Sequence, residues 1–300
     1  MGNTKKRRTS TRWRRITRRV AAAFVALSLL VLIAAWIVGG RLVAPANRSV
    51  GPPPDDFQAA TVEIDSSSGS TLAAWHLKVP DATATIILLH PVRGDRRSML
   101  SRARMLHDAG YSTLLVDLQA HGGSPGENIT MGYLERFDVL AAVEFIRDHG
   151  PEQKIGVIGW SLGGAATLLA SPDIDVLVIE SVYPDITRAV HNRVQMRLGP
   201  LHRLLAPLLL VQLEPRLGVA ADQLRPIEQI GDLACPVLVL GGTQDLHTTS
   251  EETQALFDAA NQPKELYLFE GATHQDLFEF DPSEYKSRVL RFVEEHLADE

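Results

Sequence analysis

Residues 154–158 (Lys-Ile-Gly-Val-Ile) form a short apolar run that reads as a buried strand, and residues 165–170 (Ala-Ala-Thr-Leu-Leu-Ala) read as the start of a helix. Between them stands Gly159-Trp160-Ser161-Leu162-Gly163-Gly164. Passing from strand to helix in so few residues demands a sharp, strained bend. Side chains at Gly159 and Gly163 would then run into neighbouring backbone. The residue at the apex, Ser161, is lifted clear of the sheet. The first N–H groups of the helix lack intrahelical partners and face the same spot, where they favour a negative charge. Strand, Gly-x-Ser-x-Gly and helix in this order define a nucleophile elbow. Few architectures hold one, and all of them need further polar groups at the same sheet edge.

The surrounding chain supplies a sheet. Residues 59–65 and 71–79 are β-favouring runs about a Ser/Gly turn and predict an antiparallel hairpin at an edge. Strands follow at 85–89, 112–117, 154–160, 175–181, 236–241 and 265–269, and helices at 96–109, 133–149, 251–260 and 282–297. Unbroken apolar strands alternating with amphipathic helices predict an α/β fold, with a mostly parallel sheet covered on both faces. From 182 to 233 the alternation stops. Leu201, Leu204, Leu205, Leu208, Leu209 and Leu210 lie there in a helical stretch interrupted by Pro207. This insertion predicts a helical cap over the catalytic face. Its leucines have three uses: covering an apolar substrate pocket, resting on a membrane, or packing the cap on the body.

Residues 1–19 carry nine Lys/Arg and no acid, which leaves 21 basic against 36 acidic side chains, a formal −15, for the rest of the chain. So acidic a body does not suit a nucleic-acid partner. Val20 to Gly39 is twenty residues without a charge, about 30 Å as a helix and enough to cross a bilayer. The expected order is a basic cytoplasmic tail (1–19), a signal-anchor helix through the membrane (20–40), a stiff Pro-rich linker (41–57) and a catalytic body (58–300) on the non-cytoplasmic side. Cleavage after Ala44-Pro45-Ala46, giving a secreted body, is the rival, and twin-arginine export at Arg18-Arg19 a third reading. The single cysteine, Cys235, excludes an internal disulfide and reads as a buried structural thiol.

Two loops bring candidate partners for Ser161. Asp245 follows the 236–241 strand in Gly-Gly-Thr-Gln-Asp, and His274 follows the 265–269 strand in Gly-Ala-Thr-His. Loops beyond the carboxyl ends of parallel strands form one crevice, so all three side chains share an edge. A histidine there can take the serine proton, and an aspartate can orient the imidazole and stabilise its charge. Glu180, His247 and Asp276 are rivals by position.

Nucleophile, acid and histidine in this chain order resemble the serine hydrolases of the α/β-hydrolase superfamily, across residues 58–300. Within it the chain is similar to membrane-anchored or exported members of the serine aminopeptidase-like or lysophospholipase-like kind. The resemblance implies an oxyanion hole made by the backbone N–H groups of Leu162 and Val92. Pro91 stands where the family has glycine and has no N–H, so donation rests on Val92. Residues 117–124 (Asp-Leu-Gln-Ala-His-Gly-Gly-Ser) resemble the family's Asp-x-Arg-Gly-His-Gly-x-Ser, with Gln119 and Ala120 departing. That segment supports the site, which makes His90 and His121 structural histidines behind it rather than metal ligands. No metal-binding motif is present in the sequence. The implied activity is cofactor-free cleavage of a carboxylic ester, thioester or amide, an apolar acyl ester first. Two other readings stand: an aminopeptidase, with Asp185, Glu214, Asp222 or Glu228 holding the substrate amine, and a non-catalytic binding protein of the same fold.

Overall fold

The computed structural model describes residues 4–150 and 152–298. In chain order these form α1 (Thr4–Val43), β1 (Ala46–Asn47), β2 (Ala60–Asp65), β3 (Thr71–Leu77), β4 (Ala84–Leu89), α2 (Leu100–Asp108), β5 (Ser112–Val116), β6 (His121–Gly122), α3 (Glu135–His149), β7 (Lys154–Trp160), α4 (Leu162–Ala170) and β8 (Val176–Glu180). Then come α5 (Ile186–Leu198), α6 (His202–Leu210), α7 (Leu213–Leu217), α8 (Pro226–Gln229), β9 (Val237–Gly242), α9 (Ser250–Ala259), β10 (Lys264–Phe269), α10 (Leu277–Phe280) and α11 (Pro282–Leu297).

Eight strands make one sheet in the order β10-β9-β8-β7-β4-β5-β3-β2. The six from β10 to β5 are parallel, and the β2–β3 hairpin closes one edge antiparallel. This is the mostly parallel sheet expected from the alternation, and the α/β-hydrolase arrangement that the resemblance implied. The strands are apolar throughout because both faces are covered. Ile87, Leu89, Val157 and Ile179 face a core shared with Val139 of α3 and Ala165 of α4. Ile86, Leu88, Ile158 and Val178 face a second core with Ala103 of α2 and Val289 of α11. Successive residues of a strand point to opposite faces, so an unbroken run fills both cores.

The 182–233 segment folds into α5 to α8, between β8 and β9. Pro207 lies inside α6 without ending it. The helical stretch breaks instead at a 3-10 turn, Gly199–Leu201, whose Gly199 has φ +54°.

Helix α1 runs unbroken from the basic segment to Val43, and Arg12–Val43 is long and apolar enough to cross a membrane. The first three residues of the basic tail lie outside the described residues. The linker, expected as a stiff extended stretch off the membrane, is docked on the body over part of its length. Ala46 and Asn47 pair in parallel with His121 and Gly122, and Ala46 N–H donates to Ala120 O at 2.8 Å. Ile129 N–H donates to Val43 O at 2.8 Å, and Phe57 is buried against Trp75. Proline stiffness was legible in the sequence; the carbonyls of Ala120 and Gly122 that capture the linker were not.

Candidate active site

Ser161 follows β7 directly and serves as the N-cap of α4, with φ +50° and ψ −103°. A non-glycine residue held there is strained, and the surrounding packing over-determines it. A Cβ on Gly159 would stand 2.5 Å from Gly164 N, and one on Gly163 would collide with the Leu89 carbonyl of β4. Gly164 obeys the same constraint, since its Cβ would collide with Val182. Only Gly159 and Gly163 were expected from the motif. The extra glycine follows from how closely α4 lies on the end of β8.

Asp245 and His274 lie just past β9 and β10, as their positions predicted. His274 Nε2 is 3.5 Å from Ser161 Oγ, and His274 Nδ1 is 2.7 Å from Asp245 Oδ2. The first distance is loose, as such contacts often are without substrate. Asp245 Oδ1 accepts the N–H groups of His247 at 2.7 Å and Thr248 at 2.9 Å. Burial opposes the Asp245 charge. The hydrogen bond and charge of His274, with the two N–H donors, prevail and hold its carboxyl below the ordinary carboxylate value. The aspartate is therefore ionised wherever the protein is folded at neutral pH. The His247 ring stacks on His274, centroids 4.8 Å apart and 12° from parallel. Burial lowers the His247 pKa, with the neighbouring His274 and Arg193 charges adding to it.

Glu180, the rival acid, is committed elsewhere. Arg102 grips it through Nε at 2.8 Å and Nη2 at 2.5 Å, and Tyr285 donates its hydroxyl to the same carboxylate. Arg102 also holds Asp276 at 2.9 and 3.1 Å, and Asp276 caps α10 beside His274. This buried cluster ties α2, β8, α11 and the His274 loop together. No spacing in the sequence marked it, because its four members come from four separate segments.

The loop after β4 is a tight turn. Pro91 O accepts Gly94 N–H at 2.9 Å and lies 2.8 Å from His90 Nδ1. His90 Nε2 accepts Leu118 N–H at 3.1 Å, so Nδ1 carries the proton and the imidazole is neutral. In a trans peptide the N–H opposes the C=O, so Val92 N–H points away from the side that Gly94 and His90 occupy. Leu162 is the first residue of α4, where N–H groups are free of intrahelical bonds. His121 donates through Nδ1 to Gln119 O at 2.9 Å. Burial lowers the pKa of both His90 and His121 to about 4. Their rings lie 5.0 Å apart, and no group of metal-ligating side chains occurs among the described residues. Gln119, a departure from the family pattern, bonds Glu135 at 2.8 Å and the Asn128 carbonyl at 2.9 Å, so it still braces this segment. Cys235 is buried, and burial pushes its thiol up to about 11.

Asp185 caps α5 and pairs with Arg188, while Glu228 pairs with Arg225. Glu214 is exposed.

The model of the family described as "Alpha/beta hydrolase family" matches residues 86–287. YqkD of Bacillus subtilis (strain 168) is 26% identical over 248 residues, 80% of this chain and 81% of that one. YfhR of Escherichia coli (strain K12) is 24% identical over 260 residues, 83% and 84% of the two chains. Among solved structures, the Pyrococcus furiosus esterase Pf2001 superposes with a TM-score of 0.70 at 23% identity, covering 86% of this chain and 99% of that one. Esterase RhEst1 from Rhodococcus sp. ECU1013 does so with 0.58 at 19% identity, covering 79% and 99%. Those two likenesses are of fold. The family match spans the sheet from β4 to α11 and includes the serine elbow, the aspartate and the histidine, so the chain belongs to the alpha/beta hydrolase family.

Proposed function

We propose that this protein is a membrane-anchored serine hydrolase that cleaves carboxylic esters through an acyl-Ser161 intermediate. The observation that carries the reading is the chain Ser161–His274–Asp245, with separations of 3.5 and 2.7 Å at one sheet edge. Ser161 Oγ attacks the ester carbonyl carbon while His274 Nε2 takes the hydroxyl proton. The carbonyl π electrons move to oxygen, and the N–H groups of Leu162 and Val92 hold the resulting oxyanion. Asp245 keeps the proton of the resting imidazole on Nδ1 and stabilises the imidazolium. Collapse of the intermediate breaks the C–O bond, and His274 returns its proton to the departing alkoxide. Water then attacks the acyl carbon, giving its proton to His274. Collapse of the second intermediate releases the carboxylic acid and restores Ser161. No cofactor is needed for any of these steps.

The nine Lys/Arg in the first half of α1, ahead of its uncharged run, support a cytoplasmic N-terminus with the body on the far side. The docked linker supports an uncleaved anchor, since cleavage after Ala46 would cut within β1.

A fluorophosphonate probe applied to the full chain in detergent tests the chemistry. It labels the wild-type protein and leaves Ser161→Ala unlabelled if the reading holds. A folded wild type that neither reacts nor turns over any ester or amide refutes it and favours the binding-protein reading.

A further inference from the structure

Helix α1 does not leave the body as a loose tether. It packs on α6, and its last turns are gripped at three places. Gln212 donates through Nε2 to Ala35 O at 3.1 Å and lies so close to Gly39 that a Cβ there would collide with it. Arg216 donates to Trp36 O, and its guanidinium stacks on the Trp36 ring, 3.8 Å from the centroid. Arg93, next to Val92 in the loop after β4, donates to the carbonyls of Arg41 at 2.5 Å and Ala44 at 3.3 Å. It thus satisfies carbonyls at the C-terminal end of α1, which have no intrahelical partner. The side of α1 partly covered by this packing runs through Ser28, Val31, Ala35 and Gly39. At about 1.5 Å per residue, that places α6 beside the last 16 Å or so of the apolar run.

Two things follow from this seating. The body has one orientation relative to a bilayer crossed by α1, with the loop after β4 and helices α6 and α7 nearest the lipid. The outer side of α6 and its flanks also leaves large apolar side chains uncovered, with Arg197 and Arg203 exposed among them. Leu204 is 70% exposed and Val211 69%, and Leu198 and Leu201 are exposed beside them. Large apolar side chains left together on a surface mark a contact with an apolar phase or partner. They are carried by a helix packed against α1, whose own apolar residues are likewise exposed.

We infer that α6, with Leu198, Leu201, Leu204 and Val211, is embedded beside α1 in the non-cytoplasmic leaflet, and that the site takes its ester from lipid in that leaflet. The occupant of the apolar face is the acyl region of the bilayer. The second part rests on the proposed esterase activity; the first does not.

The test uses the full chain in phosphatidylcholine vesicles. Leu204→Cys is labelled with an environment-sensitive fluorophore, and Cys235 stays silent because it is buried. A control label sits at Asp173→Cys, exposed at the opposite edge of the sheet just before β8. Brominated acyl chains quench the label at 204 severalfold and leave that at 173 unchanged, while aqueous iodide does the reverse. A label at 204 that iodide reaches and bromolipid does not overturns the proposal. So does protection of 204 from both quenchers with cross-linking between two copies, which gives the face to a second chain. For substrate, the Leu201→Asp/Leu204→Asp variant is compared with wild type on a vesicle-borne long-chain ester and on a water-soluble short one. The ratio of the two rates falls at least tenfold if the ester comes from the leaflet; an unchanged ratio refutes that part. If neither ester is turned over by the wild type, the esterase reading fails while the quenching result still stands or falls alone.

Discussion

Asp245→Asn tests the catalytic reading most sharply, because the geometry dictates how the amide must sit. Oδ1 of Asp245 accepts two backbone N–H groups, at 2.7 and 2.9 Å. An asparagine keeps its oxygen there, since an NH2 would face two donors. Its NH2 group then occupies the place of Oδ2, 2.7 Å from His274 Nδ1. A donor at that position forces Nδ1 to accept, which moves the imidazole proton to Nε2, against Ser161 Oγ. The histidine can no longer take the serine proton. The same exchange in the well-studied serine protease triad lowers kcat by about 10⁴, equivalent to about 5 kcal/mol of barrier. The folded state loses one charge-assisted hydrogen bond, about 1.5–3 kcal/mol. The measurement is kcat/KM for a soluble nitrophenyl ester near pH 7, with thermal melting in the same detergent. The expected outcome is a loss of three to four orders of magnitude in a protein that still melts cooperatively. A loss under tenfold would refute the assignment of Asp245 and the tautomer argument with it.

Ser161→Gly relieves the positive φ at the elbow. It should abolish turnover yet raise stability by about 1 kcal/mol, because strain of about 1–3 kcal/mol outweighs the chain entropy that glycine adds; a lower melting temperature would count against strain. Arg102→Met leaves the Glu180 carboxylate buried beside Tyr285 without its cation. A cost of about 3–5 kcal/mol is expected in denaturant titration, and a cost under 1 kcal/mol would mean the cluster is not what ties α2 to α11. His121 is neutral when folded, with its pKa lowered to about 4, whereas unfolded histidine takes a proton near 6.5. Its contribution is therefore whole above pH 6.5 and is lost as pH falls from 6.5 toward 4. His121→Gln should shrink the stability difference between pH 7.5 and 5 by about 2 kcal/mol, and an unaltered difference would show that His121 is not the group responsible.

Local chemistry made much of this protein readable along the chain. A strand buried on both faces is apolar at every position, so β4, β7, β8 and β9 stood out; β7 and α11 were bounded to the residue. The elbow was legible because its glycines, serine and flanking elements lie within a dozen residues. Asp245 and His274 were legible because each ends a strand of one parallel sheet, and that rule carries a linear pattern into space. The basic segment and the uncharged run after it declared a helix able to span a bilayer by charge and length alone.

Tertiary structure decided what depends on meetings between distant segments. Glu180 and Asp245 are both carboxylates at strand ends. Only the arrival of Arg102 from α2 and Tyr285 from α11 commits one to the core and leaves the other to His274. Residues 41–57 read as a spacer because their composition is that of one, and the carbonyls of Ala120 and Gly122, which accept the N–H groups of Ala46 and Arg48, turned them into part of the body. The leucines of α6 had the same composition whether they covered a pocket, packed the core or met lipid. Hydrophobicity has no direction, so only the packing decided which of these side chains stay uncovered: Leu204 and Val211 are exposed on the body against which Gln212, Arg216 and Arg93 hold α1.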